Sequence, residues 1–218
     1  MKTIDELLSE YLGERYGKKE RFTWTLEYDQ AKALLVKSLE IILGKEPIIE
    51  KWHETAVLWL MKPTRWLVLC GPTGTGKTVL ARAICAIYRT LSEVLRYKGG
   101  TQIISEFSAK DVPDNIRHSS YLNLFIDDVG REENRRRYGN ISSQVEESIE
   151  HLYNEDGVLI MTTNLRPAEI EDAYGTRASD RMIERTTFIL CGYYEAETRQ
   201  SFRQPTILTT QQLSKANG

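Results

Sequence analysis

The stretch that most constrains this chain is Gly71-Pro72-Thr73-Gly74-Thr75-Gly76-Lys77-Thr78. It satisfies G-x-x-x-x-G-K-[ST] at every fixed position. An apolar run, Arg65–Cys70, precedes it, and an amphipathic helical pattern, Val79–Ile87, follows. Strand, turn and helix in that order are the context the motif requires. Glycines let main-chain N–H groups point inward at an anion, and the positive end of the helix dipole faces the same place. The loop therefore fits the phosphates of a nucleotide such as ATP. Lys77 is expected at the β- and γ-phosphates and the Thr78 hydroxyl at Mg²⁺.

The surrounding pattern agrees with such a loop. Short apolar runs at Arg65–Cys70, Gln102–Phe107, Leu122–Asp127, Val158–Thr163 and Thr187–Cys191 alternate with helical stretches, notably Lys77–Thr90 and Ile141–Asn154. Continuous apolar strands alternating with helices imply an α/β fold, a parallel sheet covered on both faces. Ligands of such sheets bind at the carboxyl ends of the strands. Upstream, Thr3–Glu6 reads as a capping box, and Asp29–Leu43 and Ile48–Met61 read as helices, with Trp52 and Trp59 on a core face. The expected organisation is a helical N-terminal region (1–62), a core (63–200) and a C-terminal tail (201–218).

Two further strand ends carry polar groups. Leu124-Phe125-Ile126-Asp127-Asp128 delivers two acids at an apolar strand tip. Asp127 suits Mg²⁺, through water, because that ion keeps much of its hydration shell. Asp128 suits orientation or deprotonation of an attacking water; its alternative is a turn aspartate before Gly130. Val158-Leu-Ile-Met-Thr-Thr-Asn164 ends in an asparagine able to bond the γ-phosphate or its water, or to serve as a turn residue before Pro167.

Composition narrows the function. Lys and Arg number 29 and Asp and Glu 31, a net charge of -2, which excludes a uniformly basic nucleic-acid coat but leaves a local patch open. That patch is Arg131-Glu-Glu-Asn-Arg135-Arg136-Arg137-Tyr138, able to grip a nucleic-acid backbone or to form a solvated, salt-bridged loop. No apolar run approaches the roughly 20 residues that cross a bilayer, and no leader pattern is visible, so a cytoplasmic protein is expected. Cys70, Cys85 and Cys191 are widely spaced and read as buried thiols, not metal ligands or disulfides.

Taken together, GPTGTGKT, LFIDDVG and MTTN resemble the AAA+ ATPases, specifically the DnaC/IstB-like group of helicase loaders and transposition helper ATPases. Tyr174-Gly-Thr-Arg177-Ala-Ser-Asp180-Arg181-Met182 is similar to that group's G-x-R-x-x-[SD]-R-[LM] segment, whose arginines include the arginine finger. The resemblance implies Arg181 as the finger, with Arg177 second. It also implies ATP hydrolysis, head-to-tail assembly, and a replicative helicase, a transposase or single-stranded DNA as partners. From periodicity alone, Arg177, Arg181 and Arg185 equally describe one solvated helix face. Arg199 lies where the family has a second sensor.

Two departures from the group are visible. Ser108–Ser120 barely accommodates the extra helix pair that DnaA- and DnaC-like loaders place on single-stranded DNA, and Pro113 limits a continuous helix, which argues against DNA engagement through that element. The residues after Cys191, 192–218, cannot hold a three-helix lid, so a core without a lid is expected. Phe22 and Trp24 either pack near the adenine or belong to the core. Two rival readings remain: a nucleotide-gated interaction module with little hydrolysis, and a small-molecule P-loop kinase.

Overall fold

A computed structural model describes residues 22–63, 66–95, 103–114, 116, 121–130, 135–137, 140–142 and 144–192. The chain begins with two helices, α1 (Tyr28–Leu43) and α2 (Lys51–Met61). Gly44, at φ 64°, closes α1, and its N–H bonds Glu40 O at 2.8 Å. The second helix starts three residues later than its apolar pattern predicts. Glu50 caps it, with the Glu50 N–H bonded to His53 Nδ1 at 3.0 Å, and Ile48 stays outside as an exposed residue.

Five parallel strands form the sheet: β1 (Trp66–Cys70), β2 (Ser105–Ser108), β3 (Asn123–Val129), β6 (Val158–Thr163) and β7 (Thr186–Leu190). Their order is β2-β3-β6-β1-β7. The chain therefore leaves β1 toward one edge and later crosses to its other side, which opens a crevice at the carboxyl end of β1. Between strands run α3 (Lys77–Val94), a 3₁₀ turn (Ala109–Asp111), α4 (Gln144–Asn154) and α5 (Pro167–Arg185). Among the described residues of Ser108–Ser120, the chain forms that turn at Ala109–Asp111.

The basic stretch and the start of α4 differ from expectation. Residues 135–137 and 140–142 form an antiparallel ribbon, β4 and β5, in the register Arg135↔Ser142, Arg136↔Ile141, Arg137↔Asn140. Ile141 thus pairs in a strand and not in a helix, and α4 begins at Gln144. The fourth arginine of the stretch, Arg131, lies outside the described residues, as do Thr3–Glu6, Arg199 and the tail 201–218.

Two apolar layers cover the sheet. On one face α1, α2 and α3 bury Leu35, Leu60, Ile84 and Tyr88 against Leu67, Leu69 and Ile160. On the other, α4 and α5 bury Ile149, Leu152, Ile170 and Met182 against Val68, Ile126 and Met161. The central strands β1 and β6 are buried along their whole length because both faces are covered. Phe22 and Trp24 belong to the first layer. Trp24 Nε1 donates to Leu60 O at 2.7 Å, and both rings pack with Tyr88 at centroid distances of 5.2–5.4 Å. Trp52 and Trp59 are core residues too, and all three cysteines are free, with Cys70 and Cys191 buried. Among the described residues no helix is long and apolar enough to cross a membrane.

Candidate functional site

The loop Gly71–Gly76 leaves β1 and enters α3 at Lys77, with Gly76 at φ 89° as the N-cap, a value that L side chains strongly resist. Gly71 meets a different demand. A Cβ there would stand 2.1 Å from Cys191 O, so the chain after β7 packs directly on the loop's first residue. The Thr75 hydroxyl ties the turn by donating to Pro72 O at 3.0 Å.

Lys77 is 6% exposed, and its ammonium donates to Gly71 O at 2.7 Å, Pro72 O at 2.8 Å and Asn164 Oδ1 at 3.1 Å. Burial lowers its pKa, while Asp128 and Asp127 are among the groups that oppose the shift. The Asn164 amide also reaches the Thr73 hydroxyl at 3.4 Å. The end of β6 is thereby joined to the phosphate loop from both sides of one side chain.

The acid tip of β3 is not a plain strand end. Pairing with β6 shifts register between Ile126 and Val129, and Asp128 takes φ 59°, a left-handed conformation uncommon outside glycine. Such bulges bend a strand and re-aim its side chains. Two threonines of β6 stabilise the irregularity. The Thr162 hydroxyl accepts the Asp128 N–H at 2.9 Å and donates to Asp127 Oδ1 at 2.5 Å. The Thr163 hydroxyl donates to Val129 O at 2.7 Å and accepts the Leu165 N–H at 3.0 Å. Thr162 and Thr163 were not among the predicted site residues. Their signal was two hydroxyls ending an otherwise apolar strand.

Thr78 completes the arrangement by donating to the same Asp127 Oδ1 at 2.8 Å. A hydroxyl and a carboxylate side by side are hard oxygen donors of the kind Mg²⁺ takes, and they lie on neighbouring elements facing the loop. The residues present therefore fit that ion.

The structure thus brings Gly71, Pro72, Thr73, Gly74, Thr75, Gly76, Lys77, Thr78, Asp127, Asp128 and Asn164 to the carboxyl ends of β1, β3 and β6. Arg177 and Arg181 are elsewhere. They lie on α5 beyond a break at Gly175 (φ 79°, ψ 164°), and both pair with Glu150 of α4. Because α5 ends where β7 begins, Arg181 sits about one helical turn from the amino ends of the strands, opposite the phosphate loop.

No curated protein matches the chain. Solved structures similar to it include AMPPCP-bound DnaA from Aquifex aeolicus, at 18% identity and a TM-score of 0.44 over 66% of this chain. Another is DnaI, at 17% identity and a TM-score of 0.48 over 71% of this chain and 92% of that one. The chain spans 48% of the DnaA structure. Residues 67–187 match the model of the ATPase family associated with various cellular activities, and by that match the chain belongs to the AAA family.

Proposed function

We propose that the protein binds and hydrolyses ATP, assembles head to tail, and acts in a nucleic-acid transaction as a loader or helper ATPase of the DnaC/IstB-like kind. One observation carries the hydrolytic reading. Lys77, Thr78, Asp127, Asp128 and Asn164, supplied by three different segments, converge on one loop.

In this reading the loop amides and Lys77 hold the β- and γ-phosphates. Thr78 and Asp127 would hold Mg²⁺, which when bound neutralises charge building up on the phosphate oxygens. The bulge holds the Asp128 backbone, and its carboxylate, close enough to act on Lys77 through space, would orient the attacking water and draw off its proton. Asn164 contributes a second hydrogen bond to that water or to the γ-phosphate. Arg181 or Arg177 of a second copy supplies positive charge to the transition state, a contribution of about 10³–10⁵ in rate where such a residue acts. Phosphate release by the parent protein, lost in Asp128→Asn with nucleotide binding retained, tests the mechanism. Turnover unchanged in that variant removes Asp128 from it.

A second reading, a nucleotide-gated switch with little hydrolysis, draws on the short aspartate at 128 where many related ATPases carry glutamate. Measured turnover separates the two. The nucleic-acid part draws on β4, whose three residues are all arginines, Arg135, Arg136 and Arg137. The salt dependence of oligonucleotide binding tests it. Replacing the three arginines flattens the slope, and an unchanged slope removes the ribbon from the reading. A pull-down with Asp128→Asn held in ATP identifies the helicase, transposase or other partner.

A further inference from the structure

We propose that Glu150 is a clasp that keeps the α5 arginines inside their own subunit until a neighbouring copy docks. The inference rests on the head-to-tail reading above and concerns the regulation of the same site.

Glu150 Oε1 receives Arg177 Nη2 at 2.7 Å and Arg181 Nη1 at 3.2 Å, so one carboxylate oxygen serves both candidate fingers. The two arginines differ in setting. The Arg177 side chain is 73% exposed and that of Arg181 14%. Arg181 also lies over the Tyr153 ring at 4.9 Å, and Arg185 over the same ring at 4.4 Å. Tyr153 is fixed in turn by its hydroxyl, which donates to Glu184 Oε2 at 2.7 Å, and Arg185 pairs with Asp156. The three guanidinium groups are thus engaged by two carboxylates, Glu150 and Asp156, and one ring, all on α4 or in the turn after it.

Position makes the pairing regulatory. Both α4 and α5 end just before a strand begins, so the cluster sits toward the amino ends of the sheet. Lys77 and Asp127 sit at the other end. An arginine in the cluster can reach only a second copy's phosphates, and it must leave Glu150 to do so. Phosphate oxygens accept from a guanidinium in the same two-pronged geometry as a carboxylate, so the exchange is one ligand for another. The Arg177 pair is exposed on the arginine side and weak, whereas the Arg181 pair is largely covered and held more firmly, and the ring contact adds to it. The clasp therefore delays delivery of the finger without preventing it, and it sets the protein concentration at which hydrolysis begins.

The test is ATP turnover of the full chain against protein concentration, for the parent, Glu150→Gln, Glu150→Asp, Arg177→Ala and Arg181→Ala. With the charge removed, Glu150→Gln reaches half-maximal turnover at a protein concentration lower by roughly fivefold. Affinity for a fluorescent ATP analogue does not move, because Glu150 is remote from the phosphate loop. Glu150→Asp, which keeps the charge, follows the parent. A half-maximal concentration that is unchanged or raised in Glu150→Gln overturns the clasp. Should that variant fail to melt cooperatively, Tyr153→Leu removes the ring while leaving Glu150 with both Arg177 and Arg181. It shifts the curve in the same direction by a smaller factor, and no shift overturns the clasp. If neither Arg177→Ala nor Arg181→Ala lowers turnover at saturating protein, the finger reading itself fails and the clasp with it. If one of them does while Glu150→Gln behaves as the parent, only the clasp fails.

Discussion

Replacing Thr162 with valine keeps the shape of a fully buried side chain and removes one hydroxyl. That hydroxyl accepts the Asp128 N–H and donates to Asp127 Oδ1. Valine can do neither. A backbone donor left without its partner in a partly buried site costs about 1–3 kcal/mol. Asp127 keeps the Thr78 hydroxyl, so the carboxylate itself is not stranded. A total near 2 kcal/mol follows, which for a chain of this size lowers the melting temperature by about 4–8 °C. Loss of the bond also loosens the hold on the left-handed conformation of Asp128, which lies within the register shift between Ile126 and Val129. A displacement of an ångström at a reacting group can reduce rate by about a hundredfold, so turnover falls by one to two orders of magnitude. Thermal melts give the first number and phosphate release the second. Thr162→Ser, which retains the hydroxyl, restores most of both. A Thr162→Val protein that melts with the parent and hydrolyses ATP at the parent's rate would refute the claim that this hydroxyl holds the bulge.

Other expectations follow from single contacts. Gly71→Ala places a methyl against Cys191 O and must push β1 and the chain after β7 apart, so it melts several degrees lower and binds nucleotide weakly; an undisturbed melt would contradict the packing. Lys77→Ala loses ATP affinity by at least tenfold in a fluorescent-analogue titration, since a charged donor to phosphate is removed. His53 gives a pH dependence. Burial lowers its pKa, and its neutral Nδ1 accepts the Glu50 N–H. As pH falls below the ordinary value of 6.5, the unfolded chain takes up a proton that the folded chain still refuses. Its stabilising contribution is therefore full above that value and declines as pH drops toward the folded pKa. His53→Gln retains an acceptor, as Gln30 does at the start of α1, and flattens that part of the curve in urea titrations at stepped pH.

The alternation of apolar runs and helical stretches located the strands of the large sheet, most sharply β1 and β6, because strands buried on both faces have no polar interruptions to obscure them. Val158–Thr163 is bounded as expected, since Gly157 and Asn164 flank it. The edge strand β2 is shorter than its apolar run, and two of its four residues are serines. The ribbon β4–β5 was hidden for a different reason. Arg-rich and Ser-containing segments carry no period-2 apolar signal, and Ile141 alone looked like the first residue of the following helix.

The site divides along the same physical line. Lys77, Thr78, Asp127 and Asn164 were legible because their chemistry needs fixed covalent spacing from a strand end, and spacing is what a sequence displays. The support was not legible, because it is spatial. Thr162 meets Asp127 across 35 positions of chain, and Glu150 meets Arg181 across a helix pair. The loop shows what such support accomplishes. An ammonium has three protons, and those of Lys77 are aimed at Gly71 O, Pro72 O and Asn164 Oδ1. A phosphate gains Lys77 only by displacing one of these acceptors. The main-chain carbonyls are fixed by the turn, whereas Asn164 hangs from the end of β6 three residues before α5 begins. Exchange at Lys77 therefore falls on Asn164, the side chain that the reaction would require to turn toward the γ-phosphate.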